Sequence, residues 1–443
     1  MVKKNLKNKK IIHFLFISIV ITSLVTCSFF ITLQISFSRE ELHISDPNIS
    51  PNARNLFYNL ADLTDSVLFG HQETNFYGLN ASDMSTWIDD GTYNYSDVKT
   101  LTGSHSAVYG FDAFGSCEGI VDGIKAAFSR GGVITVSWHA PNFVTGGSFY
   151  DTTGDVVPKI LPGGSHHENF TSLLDNIAQY LGNLEYLGEV VPIIFRPWHE
   201  YNGNWFWWGS SFCNRQEFIT LYRFTVEYLR DTKGVHNFLY AISPNEPFNT
   251  LTPAQFLYRY PGDDVIDILA LDAYDWGWKS WKTKLTNSLL TVIKLALERG
   301  KLAAFSETGL SQGLSETNVP NWYSDVLLDM ILETTEVRNI AYTLVWRNAD
   351  YGHFWVPYQN HSQAAGFMEF FNDEHTIFQN NIPAVYAEKT TADNYTDSVS
   401  QFLSKNNISS IIGLVFVSIL LVSFIIKTSM SHRNKKKENS KLV

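Results

Sequence analysis

Short runs of apolar and β-branched residues recur along the chain, and most close on polar or aromatic side chains. Eight stand out: VLFG (67–70), SAVYGFDAF (106–114), GVITVSWH (132–139), VPIIFRPWHE (191–200), NFLYAISPN (237–245), VIDILALDAY (265–274), LAAFSETG (302–309) and AYTLVWRN (341–348). Before their closing residues these runs are nearly continuous in apolar character. That pattern predicts strands buried on both faces of a parallel sheet. Between them lie helix-like stretches: ENFTSLLDNIAQYLGNL (168–184), RQEFITLYRFTVEYLRD (215–231) and SLLTVIKLALERG (288–300). The last closes on Arg-Gly, a normal helix stop. Eight strands alternating with helices over roughly 320 residues have the length and rhythm of a (β/α)8 TIM barrel with insertions. A doubly wound open sheet is the competing architecture. It often carries a glycine-rich nucleotide loop after its first strand, and none is visible here.

The two ends follow a different pattern. Five lysines in the first ten residues precede Ile11–Leu33, a run without Asp, Glu, Lys or Arg. Residues 1–38 therefore read as a signal peptide or an uncleaved signal anchor. Near the other end, residues 408–426 form a run of 19 uncharged positions, close to what crosses a hydrocarbon core of about 30 Å. The basic segment 427–443 behind it reads as a cytosolic stop-transfer tail. These features predict a single-pass membrane protein whose folded part lies outside the cell or in a lumen. A catalytic domain is expected over 39–375, and a last packed segment leading into a polar stalk over 376–407.

Charge sharpens this. Setting aside the eleven basic and one acidic side chains of residues 1–10 and 427–443 leaves 22 basic and 43 acidic residues, a net charge of −21. Such a surface excludes nucleic acid and anionic membranes as partners and favours a neutral or cationic ligand. Aromatic content is high at 14%, with 12 Trp, which suits a binder of sugars or other flat, amphipathic molecules and equally a large core. Outside the leader, which holds Cys27, the cysteines are Cys117 and Cys213. In an oxidising compartment they form either a disulfide or two separate buried thiols. Asn-x-Ser/Thr sequons at Asn48, Asn80, Asn94, Asn169, Asn360, Asn394 and Asn407 suit an exported glycoprotein.

In residues 193–209, IIFRPWHEYNGNWFWWG, the aromatics Trp198, Tyr201, Trp205, Phe206, Trp207 and Trp208 crowd around one His-Glu pair. A core would not choose the Arg, Glu, Asn and Gly found among them. Glu200 closes the fourth strand and Glu307 the seventh. Taken singly, a glutamate after a strand is more often a helix N-terminal residue or a salt-bridge partner. On a closed barrel, however, side chains at strand ends converge over the axis. Two carboxyls there are the requirement of glycoside hydrolysis, one held protonated and one ionised.

RPWHEYNGNWFWWG (196–209) resembles the acid/base motif of family 26 glycoside hydrolases, chiefly endo-β-1,4-mannanases, and FSETG (305–309) is similar to their nucleophile segment. LFGHQE (68–73), AVYGFDAF (107–114), VSWHAPNF (136–143), LDAYD (271–275) and LVWRNAD (344–350) also resemble that family, in order, so the likeness covers about residues 55–375. It implies a retaining enzyme with Glu200 as acid/base and Glu307 as nucleophile. It further implies that His139, His199, Trp205, Tyr274 and Trp346 meet substrate, with Tyr274 donating to the nucleophile and Trp346 flooring the sugar subsite. Arg196 and Asp272 are expected to support the carboxyls. Phe206, Trp207 and Trp208 are expected to form wall and core. No cofactor is implied and no metal, the adjacent His166-His167 being read as an exposed loop beside the site. The expected partner is β-mannan or a related polysaccharide, and the chain is expected to act as a monomer. Alternatives are a related β-glucanase or β-1,3-xylanase, or a non-catalytic, membrane-anchored carbohydrate receptor.

Overall fold

The strands form because their runs are apolar on both sides. In the computed structural model, which describes residues 41–83, 85–315, 319 and 321–392, eight parallel strands pair in chain order. They are β1 (Val67–Gln72), β2 (Val108–Asp112), β3 (Val133–Trp138), β4 (Ile193–Pro197), β5 (Phe238–Ile242), β6 (Ile268–Asp275), β7 (Leu302–Leu310) and β8 (Ile340–Val345). β8 pairs back onto β1, with Leu68 opposite Tyr342 and His71 opposite Val345, which closes the ring. The chain is a (β/α)8 barrel. All six residues of β3 and all five of β4 are buried, as strands covered by side chains inside and helices outside must be. All eight barrel strands fall within the eight apolar runs or overlap them closely.

The helices cover the ring by their apolar stripes. In α1 (His167–Tyr180) the buried residues are Phe170, Leu174 and Ile177, spaced four and three apart. Asn214 caps α2 (Arg215–Glu227), its side chain accepting from two backbone N–H groups while Glu217 reaches back to the cap. α3 (Trp281–Glu298) ends where Arg299 caps it and Gly300 turns left-handed at φ +63°.

The packed chain runs past residue 375, through the last packed segment that the sequence pattern placed ahead of a polar stalk. Apolar residues set in that segment are the reason. Phe378 stacks on Phe69 of β1 at 4.8 Å. Val385 is buried, and Tyr386 donates its hydroxyl to Gly132 O, just before β3. Asn59 donates to Val385 O and Ala387 O. The opposite end of the described chain docks on the same face: His43 N donates to Gly300 O, just before β7, and Ser50 N to His236 O, just before β5.

Cys117 and Cys213 are separate buried thiols, which decides between the two readings of that pair. The apolar segments 11–33 and 408–426, the basic tail and the sequons at Asn394 and Asn407 lie outside the described residues. Among the described residues, no helix is long and apolar enough to cross a membrane.

Candidate active site

At the C-terminal ends of the strands the ring opens into a cleft of about 600 Å³. Glu200, Glu307, His139, His199, Trp205, Tyr274 and Trp346 all line it.

Glu200 arrives there through a strained turn. β4 stops at Pro197, and both Trp198 and Glu200 take left-handed backbone angles, φ +55° and +51°. Non-glycine residues in that region cost of order 1–3 kcal/mol each and persist only where the surroundings over-determine them. Here Glu200 N donates to Ser243 O beyond β5. The Trp198 ring is buried against Trp207 and Trp208, and its Nε1 donates to Thr225 Oγ1 on α2. The carboxyl of Glu200 accepts one bond, from Trp205 Nε1 at 2.7 Å. Gly203 makes that approach possible: a Cβ there would lie 2.5 Å from the Trp205 ring. Burial, then the charges of Glu307 and Asp272, push the Glu200 carboxyl well above the ordinary range, against the Trp205 bond and Arg196.

Glu307 is placed by register. Between Leu271 and Asp272 the β6–β7 pairing shifts, and Asp272 then stands opposite Glu307. Such irregularities re-aim side chains at barrel rims. Arg196 of β4 bridges the two acids, with Nη2 to Glu307 Oε2 and Nη1 to Asp272 Oδ2, both at 2.7 Å. Tyr274 donates its hydroxyl to Glu307 Oε1 at 2.8 Å. Asp272 also accepts from Ser243 Oγ and Ser306 Oγ at 2.7 and 2.6 Å. Burial pushes it up to about 7, opposed by Arg196. Asp272 and Arg196 are buried beneath the cleft rather than in its lining, so they position and charge the groups above them.

His139 is fixed by Asp112, whose carboxylate bonds both its backbone N–H and its ring Nδ1. Its ring meets His199 edge-on at 4.6 Å and Trp346 at 5.9 Å. Burial, with Arg196 and His139 nearby, holds His199 well below the usual histidine range, so its imidazole is neutral.

The aromatic cluster divides. Trp205 and Phe206 face the cleft. Trp207 and Trp208 are buried, donating their Nε1 to Ala140 O and His199 O. His166 and His167 do not line the cleft. His167 opens α1 with its ring Nδ1 at Ile160 O, because the Gly-rich loop before it folds back onto the helix start. Among the described residues, no three His, Cys, Asp or Glu gather as a metal ion requires.

The model of glycosyl hydrolase family 26 matches residues 45–309, which include both glutamates. The chain belongs to glycosyl hydrolase family 26. A mannan endo-1,4-beta-mannosidase of Bifidobacterium adolescentis is 33% identical over 323 residues, covering 69% of this chain and 32% of that protein. One of Bacillus subtilis is 34% identical over 199 residues, covering 40% and 52%. The chain thus spans about a third and about half of these curated relatives. Among solved structures, the catalytic domain of a family 26 endo-beta-1,4-mannanase from Bacillus sp. JAMB-750 superposes with TM-score 0.74 at 37% identity, covering 80% of this chain and 97% of that one.

Several family 26 cleft residues escaped the sequence reading. Tyr150 and His353 sit in loops with no local signal. Phe248, Trp276 and Trp278 do carry one: all are aromatics that follow a barrel strand by a few residues, where substrate-facing loops begin.

Proposed function

We propose that this chain is a retaining endo-β-1,4-mannanase that cleaves mannan-type polysaccharides by double displacement. The unequal setting of its two glutamates carries the reading. Glu307 faces a buried guanidinium and a phenol donor. Glu200 has one indole N–H and a carboxyl shifted toward its protonated form. Environments that separate two carboxyls in this way assign the acid and the nucleophile. Glu200 protonates the leaving oxygen while Glu307 attacks the anomeric carbon to form a glycosyl ester. Glu200, now ionised, takes a proton from water as the water displaces Glu307. Neutral His199 is a donor and acceptor for sugar hydroxyls, and Trp346 offers a ring beneath them. The two curated relatives described above are both mannan endo-1,4-beta-mannosidases, which supports mannan over other β-glycans.

The apolar segments and sequons support a membrane-anchored glycoprotein with its cleft outside the cytosol, and we propose that it acts as a monomer. The test is release of reducing ends by the purified chain from galactomannan, glucomannan, lichenan and β-1,3-xylan, with the first product anomer read by NMR. Mannan cleavage with retention is expected. An inverted first product refutes double displacement. Binding to mannan without hydrolysis, or full activity in Glu307→Ala, refutes the enzyme.

A further inference from the structure

The Asn-x-Ser/Thr sequons are not equivalent once the chain has folded. Asn80 donates its amide to Ser85 Oγ at 2.9 Å, and Asn169 donates to Phe143 O at 3.4 Å. Asn94 accepts from Arg130 Nη2, and Ser96, two residues on, is buried as a helix cap. Ser50, two residues after Asn48, is buried as a cap as well. Asn360 is placed differently. His361 N donates to Tyr358 O at 3.0 Å and closes a turn. Asn360 is the third residue of that turn, at φ +70°, a left-handed angle that asparagine tolerates. Asn360 and Ser362 are both exposed, and among the described residues the side chain of neither has a hydrogen-bond partner.

Aromatic rings stand beside this free amide. Tyr358 opens the same turn, and its ring lies 6.3 Å from Tyr351, 5.8 Å from Phe354 and 5.0 Å from His361. Tyr351 in turn stacks on Phe354 at 5.8 Å. Phe354 is fully buried and anchors the group, while Tyr351 is 44% exposed. A ring half in water suits the apolar face of a pyranose, which is itself amphipathic. Tyr351, Tyr358 and Asn360 do not line the cleft, whereas His353 and Trp355 of the same loop do. Resting on the proposed export as a glycoprotein, we propose that Asn360 carries an N-linked glycan whose first sugar packs on Tyr351 and Tyr358. The glycan braces, from outside the cleft, the loop that presents His353 and Trp355. In the modification the amide Nδ2 displaces pyrophosphate from the anomeric carbon of a polyprenyl-pyrophosphate-linked oligosaccharide, supplied with its transferase by the exporting cell. A carbon–nitrogen bond forms, and the carbon–oxygen bond to phosphate breaks with its electron pair going to the pyrophosphate. One amide proton is released, and nothing is oxidised or reduced.

The full chain is purified from a eukaryotic host whose export pathway glycosylates. An amidase that releases N-glycans and leaves Asp in place of Asn is applied, and peptide mass spectrometry reads occupancy at Asn48, Asn80, Asn94, Asn169 and Asn360. Asn360 is expected to be occupied. Ser362→Ala, which deletes the sequon and leaves Asn360 in place, is expected to lose that glycan and melt lower by about 1–2 °C, with kcat on mannan unchanged. In a Tyr351→Ala background the same Ser362→Ala change is expected to shift melting by less than half as much. This cycle separates glycan packing from any cost of the substitutions themselves. Repeating it with chain made in bacteria, which carries no glycan, is expected to give no shift from Ser362→Ala. A bare Asn360 beside an occupied sequon elsewhere overturns the proposal. An occupied Asn360 whose loss leaves melting unchanged, or shifts it equally with and without Tyr351, overturns the aromatic seat. Absence of glycan from every sequon overturns the export reading, and this one with it, whatever the chain does to mannan.

Discussion

Arg196 is the residue whose removal tests the electrostatic account most directly. In Arg196→Ala, a guanidinium only 2% exposed disappears. With it go two 2.7 Å ion pairs and a 3.1 Å bond to Ser243. Asp272 keeps two serine hydroxyls and Glu307 keeps Tyr274, but two buried carboxylates then lack any cation. Breaking a buried pair by deleting one partner costs about 3–5 kcal/mol. For a domain of this size that corresponds to a melting temperature lower by about 4–7 °C. The loss must also depend on pH. Asp272 is already raised to about 7 in the folded chain, and removing Arg196 raises it further. A carboxyl raised on folding is fully tolerated below its unfolded value and costs increasingly as pH climbs through the folded value. The gap between the two proteins is therefore expected to be small near pH 4 and to widen up to pH 8. Thermal unfolding followed by circular dichroism at pH 4, 6 and 8 measures it. A gap that does not change with pH, or a variant within 2 °C of the unaltered chain at pH 8, refutes the reasoning.

Glu200→Gln is expected to abolish cleavage of polymeric mannan. It should also melt higher than the unaltered chain at alkaline pH, because it removes a buried carboxyl whose raised pKa makes ionisation costly there; equal melting at pH 8 contradicts this. Trp205→Phe deletes the donor that favours ionised Glu200, so the alkaline limb of the kcat profile should move to higher pH; a limb that stays in place contradicts the assignment of that limb to Glu200. Tyr274→Phe removes one charge-assisted bond to Glu307 and should lower kcat about 10- to 100-fold, with melting little changed. Gly203→Ala pushes a methyl group to within 2.5 Å of the Trp205 ring. It should displace the indole from Glu200 and lower kcat more than it lowers stability, which paired rate and melting measurements decide.

The barrel was legible because each strand is buried on both faces, and that leaves a continuous apolar run no turn would tolerate. Glu200 and Glu307 were legible because each ends such a run. What lay beyond reach was set by contacts distant in sequence. The resemblance put Trp205 at the substrate and Trp207 and Trp208 in wall and core, but not the contacts that hold them there, Trp207 to Ala140 O and Trp208 to His199 O. Asp272 was expected in a supporting place, but how it gets there was not legible: the register shift beside Leu271 brings it opposite Glu307. Where the last packed segment gives way to the stalk was not legible, because its anchors, Phe378, Val385 and Tyr386, are spaced by the surface they cover rather than by any helical or strand period.

That segment has a mechanical consequence. Residues 43–50 and 385–387 both fasten beside the starts of strands, while the cleft opens where strands finish. A tether joined at either end of the described chain would pull from behind the barrel. The mouth of the cleft would then face away from whatever holds the protein, and a long polysaccharide could lie across it without meeting the point of attachment.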